Sequence, residues 1–368
     1  MCEIPQLRFG IKSVLFLLTL LPYLALSQKS DSLERGPSFA VFPAISFAPE
    51  TSWQFGAAVV GVLSSGATQD TTFVRQSTIS PFFVYTLRNQ ILSAVNVNLF
   101  TSSGNAIDAS VRYFNFPDLY FGIGNANDPD ISEQYSHVFV QSEGRFLKPL
   151  NQTTFVGLGW DLQNSRITDV QEGGILRSEN PLGIEGGTLL GLGPAFRYDS
   201  RNNAIYPSSG YLVSVNSLFT YVGDFSFNTH LIDARKYLSL WNEENIIALQ
   251  ISGSFTAGSV PFYKLPQLGG DNRLRGIANA SLYRDRQMIY SQIEYRRPLF
   301  WRFGMVAFAG IGDVASRFGD FEFQDFKYVA GMGGRFAAIP EDKLNLRVDL
   351  GIARGGQLSF YVGISEAF

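Results

Sequence analysis

Cysteine and histidine are nearly absent from this sequence, and charged residues are scarce. The 368 residues include one cysteine, Cys2, and two histidines. That set excludes a disulfide framework and falls short of the roughly four ligands of a structural zinc site. Only 17% of the residues are charged, against about 25% in soluble proteins, and the net charge of −3 offers no basic surface for nucleic acid. We therefore expect no metal, no cofactor and no nucleic-acid partner.

The N-terminal residues are typical of a cleaved secretory signal. Arg8 and Lys12 precede a mostly apolar stretch that ends at Leu26, and small residues stand before Gln28. The alternative is a short membrane anchor, although the apolar run is below the roughly 18 residues that a span needs. The predicted organisation is a signal peptide over 1–27, a short periplasmic segment over 28–38 and a single domain over 39–368.

Long apolar runs are also missing after residue 27, so helical membrane spans are not expected. The chain is nevertheless 45% hydrophobic and 14% aromatic, and it contains 36 glycines. In lipid, only helices and closed barrels satisfy every backbone polar group. For a chain that is exported and poor in charge, this leaves a β-barrel as the membrane architecture to test.

Apolar and polar residues alternate with a period of two along much of the chain. In residues 344–352, for example, Leu346, Val348 and Leu350 alternate with Arg347 and Asp349. This period is the mark of a strand with two different environments. A soluble sandwich would show the same alternation, but so many strands with almost no helical periodicity favour a barrel.

We therefore predict an all-β fold, a sixteen-stranded antiparallel transmembrane β-barrel, whose even strand number fits bacterial single-chain barrels. The predicted strands span 39–49, 53–64, 72–87, 90–102, 106–117, 134–149, 153–167, 187–200, 210–222, 226–240, 245–258, 287–299, 303–315, 327–339, 343–354 and 357–368.

One connection, residues 259–286, is too long for a simple turn. It lies between the eleventh and twelfth predicted strands, which places it on the outer side if the first strand starts in the periplasm. Loops of this length are usually functional or disordered. This one is rich in aromatic residues and carries Arg273, Arg275 and Arg284, a composition that does not favour disorder.

Within this loop, Leu268–Gly276 reads LGGDNRLRG and resembles the loop motif of the BamA/TamA-like outer-membrane assembly and translocation barrels, also called bacterial surface antigens. Leu274 matches the hydrophobic residue and Arg275-Gly276 the pair that follows it, whereas Ile277 stands where the family usually has an aromatic residue. Three other stretches are similar to family signatures. They are Tyr120–Asn125, Gly191–Pro194 with Tyr198–Arg201 and Pro207–Gly210, and Glu294–Leu299.

The resemblance covers essentially the whole mature chain and implies an outer-membrane protein of a Gram-negative cell envelope. There are two departures. Gly310 stands where the family usually has an acidic residue, and the parity of the nearby Asp313 places it on the opposite face or at the end of the strand. The periplasmic polypeptide-transport-associated domains of the family are also missing, so we expect a short member of the superfamily.

The resemblance also implies that the long loop folds into the lumen. Polar parity places several charged residues on the lumen face, where they should pair rather than stand alone. We expect Arg275 to bind Glu294 or Asp349, because a guanidinium can grip a carboxylate through two hydrogen bonds. A solvated outer loop is the alternative. The predicted motif residues are Gly269, Gly270, Arg273, Leu274, Arg275 and Gly276, and the predicted lumen partners are Glu294, Arg296, Arg335, Arg347 and Asp349.

The first and last strands must meet to close such a barrel. Pro43 cannot donate to a ladder, and Gly363 offers no side chain. We therefore predict a seam between 39–49 and 357–368 with few backbone hydrogen bonds, which in the family is the suspected lateral gate. Alternatively, Pro43 only marks a frayed end. Phe360 and Phe368 resemble the signal by which such barrels are inserted, and Glu366 is expected at the membrane interface.

Enzymatic function is not expected. His137 and His230 have no serine elbow nearby and are interpreted as wall histidines, and Asp128 and Asp130 match no complete calcium-ligand set. The predicted function is to assist the insertion or translocation of proteins or lipids. The alternative is a passive pore or structural envelope barrel. The expected partners are outer-membrane lipid and client outer-membrane proteins or lipoproteins.

Overall fold

The computed structural model describes residues 37–48, 52–63, 76–241 and 244–368. The predicted signal peptide and most of the predicted periplasmic segment lie outside this part of the chain. The described residues form sixteen strands, which follow in chain order: β1 Ser38–Ala48, β2 Ser52–Leu63, β3 Ser77–Thr86, β4 Ile91–Phe100, β5 Ala106–Tyr120, β6 Glu133–Pro149, β7 Thr154–Thr168, β8 Gly187–Asp199, β9 Gly210–Gly223, β10 Phe227–Leu240, β11 Asn245–Gly258, β12 Gln287–Phe300, β13 Phe303–Ala315, β14 Lys327–Ile339, β15 Leu344–Ala353 and β16 Leu358–Ile364.

The strands form one antiparallel sheet in which each strand pairs with its neighbour in sequence, from β1 to β16. The all-β, sixteen-stranded prediction is confirmed, and most strand ends agree within a few residues. Because consecutive strands run in opposite directions, the connections alternate between two ends of the molecule. We call the end opposite the chain termini the outer end, as the sequence analysis assigns it.

The alternation in the sequence separates two faces of the sheet. On β15, Arg347 and Asp349 are 2% and 0% exposed, whereas Leu350 and Ile352 are 52% and 44% exposed. The polar face is therefore the interior, and the apolar face is the outer surface, as expected for strands that contact lipid. Other exposed apolar side chains on the strands include Val95, Val111, Val140, Leu158, Leu192, Ile251, Ile293 and Met332.

Residues at the beginning of the sheet contact the turn between β14 and β15 at the end that carries the chain termini. The Ser38 hydroxyl at the start of β1 donates to Asp342 in the turn between β14 and β15, and Gln76 Nε2 donates to Asp342 Oδ1 at 3.0 Å. These contacts join residues that are 304 and 266 positions apart, and they bring the first strands of the sheet close to the last ones. Among the described residues, the ladders run from β1 to β16 and none joins β1 directly to β16.

The last strand is shorter than predicted. Its predicted end is Phe368, but β16 ends at Ile364, and Ser365 has a φ of 67° that turns the chain out of the strand. The final residues then fold into the lumen, where Phe368 is 6% exposed and packs with Tyr237 and Ala248. The expected interfacial position of Glu366 is therefore wrong, because its side chain is 2% exposed inside the barrel.

The loops at the outer end enclose a mostly apolar core. One helical turn, α1 Ile175–Glu179, lies between β7 and β8 and buries Leu176 against Tyr120, Tyr135 and Phe262. None of the helices in the described ranges is long and apolar enough to cross a membrane. This outer core holds the stem of the long loop and so determines where the loop enters the lumen.

Candidate functional site

The long connection between β11 and β12 is ordered by contacts with other outer loops. It contains two short 3-10 turns, Phe262–Lys264 and Ala280–Leu282. Isolated β-bridges join Arg284 to Gly124 and to Gln267. At the start of the connection, the Phe262 backbone N–H donates to the Leu182 carbonyl at 2.8 Å. The prediction that this segment is a structured loop agrees with these contacts.

The tip of the loop packs into the barrel wall through apolar side chains. Leu274 and Ile277 are 0% and 1% exposed and belong to a cluster with residues of β12, β13, β14 and β15. Leu274 lies against two glycines of β13, and a Cβ built on Gly310 would come within 2.5 Å of Leu274 Cδ2. Gly310, which departs from the family pattern, therefore provides the space that Leu274 fills.

The loop backbone approaches the wall most closely at Gly276. Its φ of +146° lies in a region that other residues rarely adopt, and its N–H donates to the Tyr361 hydroxyl at 3.2 Å while Ser359 Oγ donates to its carbonyl at 2.7 Å. On β15, a Cβ on Gly351 would lie 2.3 Å from the Arg275 carbonyl. Thus β15 and β16 together form a fitted seat for the loop.

Arg275 joins this loop to two strands of the wall. Its Nη1 donates to Asp349 Oδ2 at 2.6 Å on β15, and its Nη2 donates to Glu294 Oε1 on β12. Its guanidinium carbon lies 3.8 Å from the centre of the Phe308 ring on β13. Arg275 and both carboxylates are fully buried. The predicted partner of Arg275 is one or the other of these carboxylates, and the structure places Arg275 between both.

The charged side chains around Arg275 are paired with one another. Arg296 donates to Glu294 at 2.9 Å, Arg335 donates to Asp349 at 2.6 Å and to Glu366 at 2.7 Å, and Arg347 donates to Asp271 at 3.1 Å. Such buried charges persist only when they are paired and hydrogen-bonded. We call this group the arginine cluster. Among the described residues it comprises the arginines Arg275, Arg296, Arg335 and Arg347 and the carboxylates Asp271, Glu294, Asp349 and Glu366.

The predicted lumen partners divide into two groups. Glu294, Asp349 and Arg347 bind the loop directly, and Arg347 Nη1 also reaches the Asp271 carbonyl at 2.7 Å. The described hydrogen bonds of Arg296 and Arg335 go instead to wall carboxylates, to C-terminal residues and, for Arg335, to the Gly334 carbonyl. These two arginines hold the acceptors of Arg275 in place.

Other residues of the motif have different surroundings. Arg273 is exposed, and its Nη1 donates to the Gln267 carbonyl at 3.1 Å. Gly269 and Gly270 have φ values of +121° and +98°, which the tight path of the loop tip requires. Asp313, which was considered in place of the family's acidic residue, binds Lys327 and Asn125 near the outer end of β13.

Sequence reasoning missed the role of Arg284. This arginine is fully buried in the stem of the loop, where its guanidinium lies 5.7 Å and 5.6 Å from the ring centres of Tyr120 and Phe262. Burial also raises the pKa of the neighbouring Tyr263 hydroxyl. The aromatic residues of the loop were visible in the sequence, but nothing there indicated that they enclose an arginine.

The predicted seam residues lie on the two edge strands. Pro43 is exposed and pairs with Ala57 of β2. A Cβ on Gly363 would lie 2.6 Å from Arg347 Nε, so this glycine makes room for the arginine cluster. Phe360 is 48% exposed on the outer face, whereas the Phe368 carbonyl accepts a hydrogen bond from Arg296 Nη2 at 2.7 Å inside the barrel.

The two histidines lie in the wall. His137 on β6 contacts Ser165 Oγ at 3.1 Å, and His230 on β10 contacts Ser217 Oγ at 3.0 Å. In the part of the chain that the structure describes, no group of three or more histidine, cysteine or acidic side chains is placed to hold a metal ion. The arrangement at the lumen is therefore one of ion pairs and packing.

Comparison with known proteins agrees with this architecture. The model of the Omp85 superfamily domain matches residues 71–366. BamA from Haemophilus ducreyi lacking POTRA domains 1–3 superposes with a TM-score of 0.56 at 12% identity, covering 89% of this chain and 70% of that one. CdiB from Acinetobacter baumannii superposes with a TM-score of 0.54 at 10% identity, covering 90% of this chain and 59% of that one.

No sequence among the curated proteins matches this chain. The family match covers most of the chain, and the two structural matches share its barrel fold. The predicted resemblance to BamA-like barrels is thus confirmed, and the chain belongs to the Omp85 superfamily as an outer-membrane β-barrel.

Proposed function

We propose that this barrel assists the insertion or translocation of proteins or lipids at the outer membrane, with the 259–286 loop as a plug of the lumen. Membership of the Omp85 superfamily supports a general role of this kind. The observation that carries the proposal is the position of Arg275, which is fully buried and bonded to both β12 and β15. A loop anchored in this way is held in one place inside the bore.

The ion pairs of the arginine cluster support a specific seat. If the loop leaves, Arg275 and Asp271 leave together, so Glu294 and Asp349 each lose a guanidinium partner and Arg347 loses a carboxylate in a poorly solvated interior. Breaking a buried pair by removing one partner is costly, even though the intact pair adds little net stability. The loop would therefore occupy one defined position until another group takes the place of the Arg275 guanidinium at the carboxylates, or until water enters the arginine cluster.

The edge strands are the moving part in this proposal. β16 has seven residues, fewer than any other described strand, and β1 contains Pro43, which has no N–H to donate. Side chains at Ser38, Gln76 and Asp342 join this region at its periplasmic end. Contacts between side chains are easier to open than a continuous ladder.

Disulfide locking of the two edges tests the proposal. In a Cys2→Ser background, one cysteine is introduced on β1 within residues 38–43 and a second on β16 within residues 358–364. Each such pair is tested for crosslinking. Ala40 and Val60 are partners in the β1–β2 ladder and provide the control pair. We expect a locked β1–β16 pair to abolish complementation in the native host, with recovery after reduction, while the Ala40/Val60 pair leaves complementation intact.

Full complementation by a locked edge pair would contradict the moving-part proposal. The alternative of a passive pore makes a different prediction, namely a steady open conductance of the unmodified protein in planar bilayers. A plugged barrel should instead be mostly closed, with brief openings. Proteins that co-purify from solubilised outer membranes would then identify candidate clients or lipoprotein partners.

A further inference from the structure

The connection between β13 and β14, residues 316–326, exposes large aromatic side chains at the outer end of the barrel. It contains two short 3-10 turns, Phe318–Asp320 and Phe323–Asp325. Phe318 and Phe323 are 70% and 76% exposed, more than any other phenylalanine in the described ranges. Leaving side chains of this size in water is unfavourable, and a group of them marks a contact surface.

The exposed rings belong to a continuous series of aromatic side chains. Successive ring centres in this series are 6.0–6.4 Å apart, which is within contact range for aromatic pairs. The series begins on β11, passes along the connection and ends on β14. We call it the aromatic row, and in spatial order it comprises Phe255, Phe318, Phe321, Phe326, Phe323 and Tyr328.

Both ends of the aromatic row lie on the lipid-facing surface of the barrel. On β14, Tyr328 has the same outward parity as the exposed Met332. On β11, Phe255 has the same parity as the exposed Ile251. A Cβ built on Gly253, which lies between these two residues, would come within 2.6 Å of Phe255 Cζ, so the Phe255 ring lies along the outer surface of the strand. The row therefore continues a surface that already contacts lipid.

A second aromatic group lies at the opposite end of β14. The Phe336 ring centre is 5.9 Å from that of Trp301 and 5.4 Å from that of Phe303, at the turn between β12 and β13. Tyr328 and Phe336 are eight positions apart on β14. This separation is about 27 Å along the strand and about 20 Å across a membrane at the usual strand tilt. Barrels of this kind have an apolar band about 25 Å tall with aromatic residues at both interfaces, so Tyr328 lies at the level of the outer interface.

The polar groups of the connection fit the same level. Arg354 Nη1 donates to the Gln324 carbonyl at 3.1 Å, and Lys327 Nζ donates to the Asp325 carbonyl at 2.6 Å, so the barrel holds the second turn in place. The acidic side chains of the connection alternate with its rings. Near the interface such a carboxylate costs little, whereas in the hydrocarbon core it is unfavourable. These acidic residues are Asp320, Glu322 and Asp325.

We propose that residues 316–326 anchor the barrel in the outer leaflet of the membrane, with the aromatic row at the boundary between headgroups and acyl chains. Continuity with the lipid-facing surfaces of β11 and β14 selects the membrane as the partner of these rings. The anchor holds the outer ends of β11–β14 at a fixed depth. This inference goes beyond the proposed function, since the barrel can be anchored in this way whether or not it handles clients.

Spin labels on single cysteines test the anchor in vesicles of dioleoyl phosphatidylcholine. In a Cys2→Ser background, Phe318→Cys and Phe323→Cys place a nitroxide on the two most exposed rings of the row. Met332→Cys on the lipid-facing wall is the reference for lipid, and Leu182→Cys, an exposed position between β7 and β8, is the matched reference for water. We expect the rate of collision with a water-soluble nickel chelate to be at least about fivefold lower at both row positions than at Leu182, because a polar solute is excluded from apolar surroundings.

Bilayer thickness separates a membrane contact from a protein contact. In dimyristoleoyl, dioleoyl and dierucoyl phosphatidylcholine, the nickel collision rate at Phe318→Cys and Phe323→Cys should fall as the acyl chains lengthen, while the rate at Leu182→Cys stays constant. Collision rates at both row positions that equal the rate at Leu182 would overturn the proposal in favour of a loop in water. Protection that ignores chain length and disappears when the protein is diluted in lipid would overturn it in favour of contact between copies of the barrel.

Discussion

At Arg275, one side chain connects the loop sequence to the barrel wall. The guanidinium contacts two carboxylates on strands that are separated by two others, and it also lies against the Phe308 ring. Charged groups in a low-dielectric interior interact more strongly than in water, but they also lose hydration. The energetic role of Arg275 is therefore to select one position for the loop.

Arg275→Ala should release the loop and destabilise the barrel by roughly 3–5 kcal/mol, the usual cost of orphaning a buried partner. Arg273→Ala is the matched control, because Arg273 is two residues away, exposed and bonded to one backbone carbonyl. Its effect should stay within about 0.5 kcal/mol. Urea unfolding, followed by tryptophan fluorescence, measures both values. Equal stabilities of the two variants would show that Arg275 does not anchor the loop.

Part of this site could be predicted at the level of residues. Glu294 and Asp349 were identified because their parity places them on the polar face of their strands, and a buried charge needs a partner. Elsewhere in the lumen, Arg145 and Arg197 both bind Asp108, and this contact could not be predicted in the same way. The three residues lie on three different strands, and only the register of the ladders brings Asp108 opposite Arg145.

At the scale of the elements, the glycines of the wall match the shape of the loop. Gly351 of β15 and Gly310 of β13 lie where a methyl group would collide with Arg275 or Leu274. Neither glycine has a positive φ, so close approach and not backbone conformation explains its presence. The loop and the strands therefore form a complementary pair of surfaces.

Gly351→Ala should push the motif loop away from β15 and destabilise the protein by about 1–3 kcal/mol, the range for overpacking. Gly334→Ala on β14 is the control, because no atom lies within 4 Å of its added Cβ. The displacement is measured with an added Ile277→Cys substitution. The rate at which a membrane-impermeant maleimide labels this cysteine reports how exposed the position has become. Labelling that stays equally slow in both backgrounds would contradict the fitted seat.

The strands could be predicted because one face of the sheet contacts lipid and the other contacts polar groups. Apolar and polar residues must therefore alternate along each strand, and this alternation is visible in the sequence. The end of β16 was not, because the turn at Ser365 depends on tertiary contacts of Glu366 and Phe368 with arginines of other strands. The helical turn α1 was missed for a related reason. It is only five residues long, and burial of Leu176 against other loops stabilises it.

At the scale of the whole molecule, the lumen contains two groups of ion pairs. The arginine cluster beside the loop holds the plug. In the second group, Arg145 and Arg197 both bind Asp108 beside the open space of the lumen. The described ion pairs of the loop tip belong to the first group, so this group is the one that closes the bore.

Sixteen strands enclose a bore wide enough for water once nothing fills it. Replacing residues 270–279 by a short Gly-Ser linker removes Arg275 and Leu274 and should convert a mostly closed barrel into a steadily conducting one. Single-channel recordings in planar bilayers measure the conductance. Shortening the exposed outer loop at 319–324 is the control and should leave conductance unchanged, since that segment does not enter the arginine cluster. A deletion channel as silent as the unmodified protein would mean that something other than this loop closes the bore.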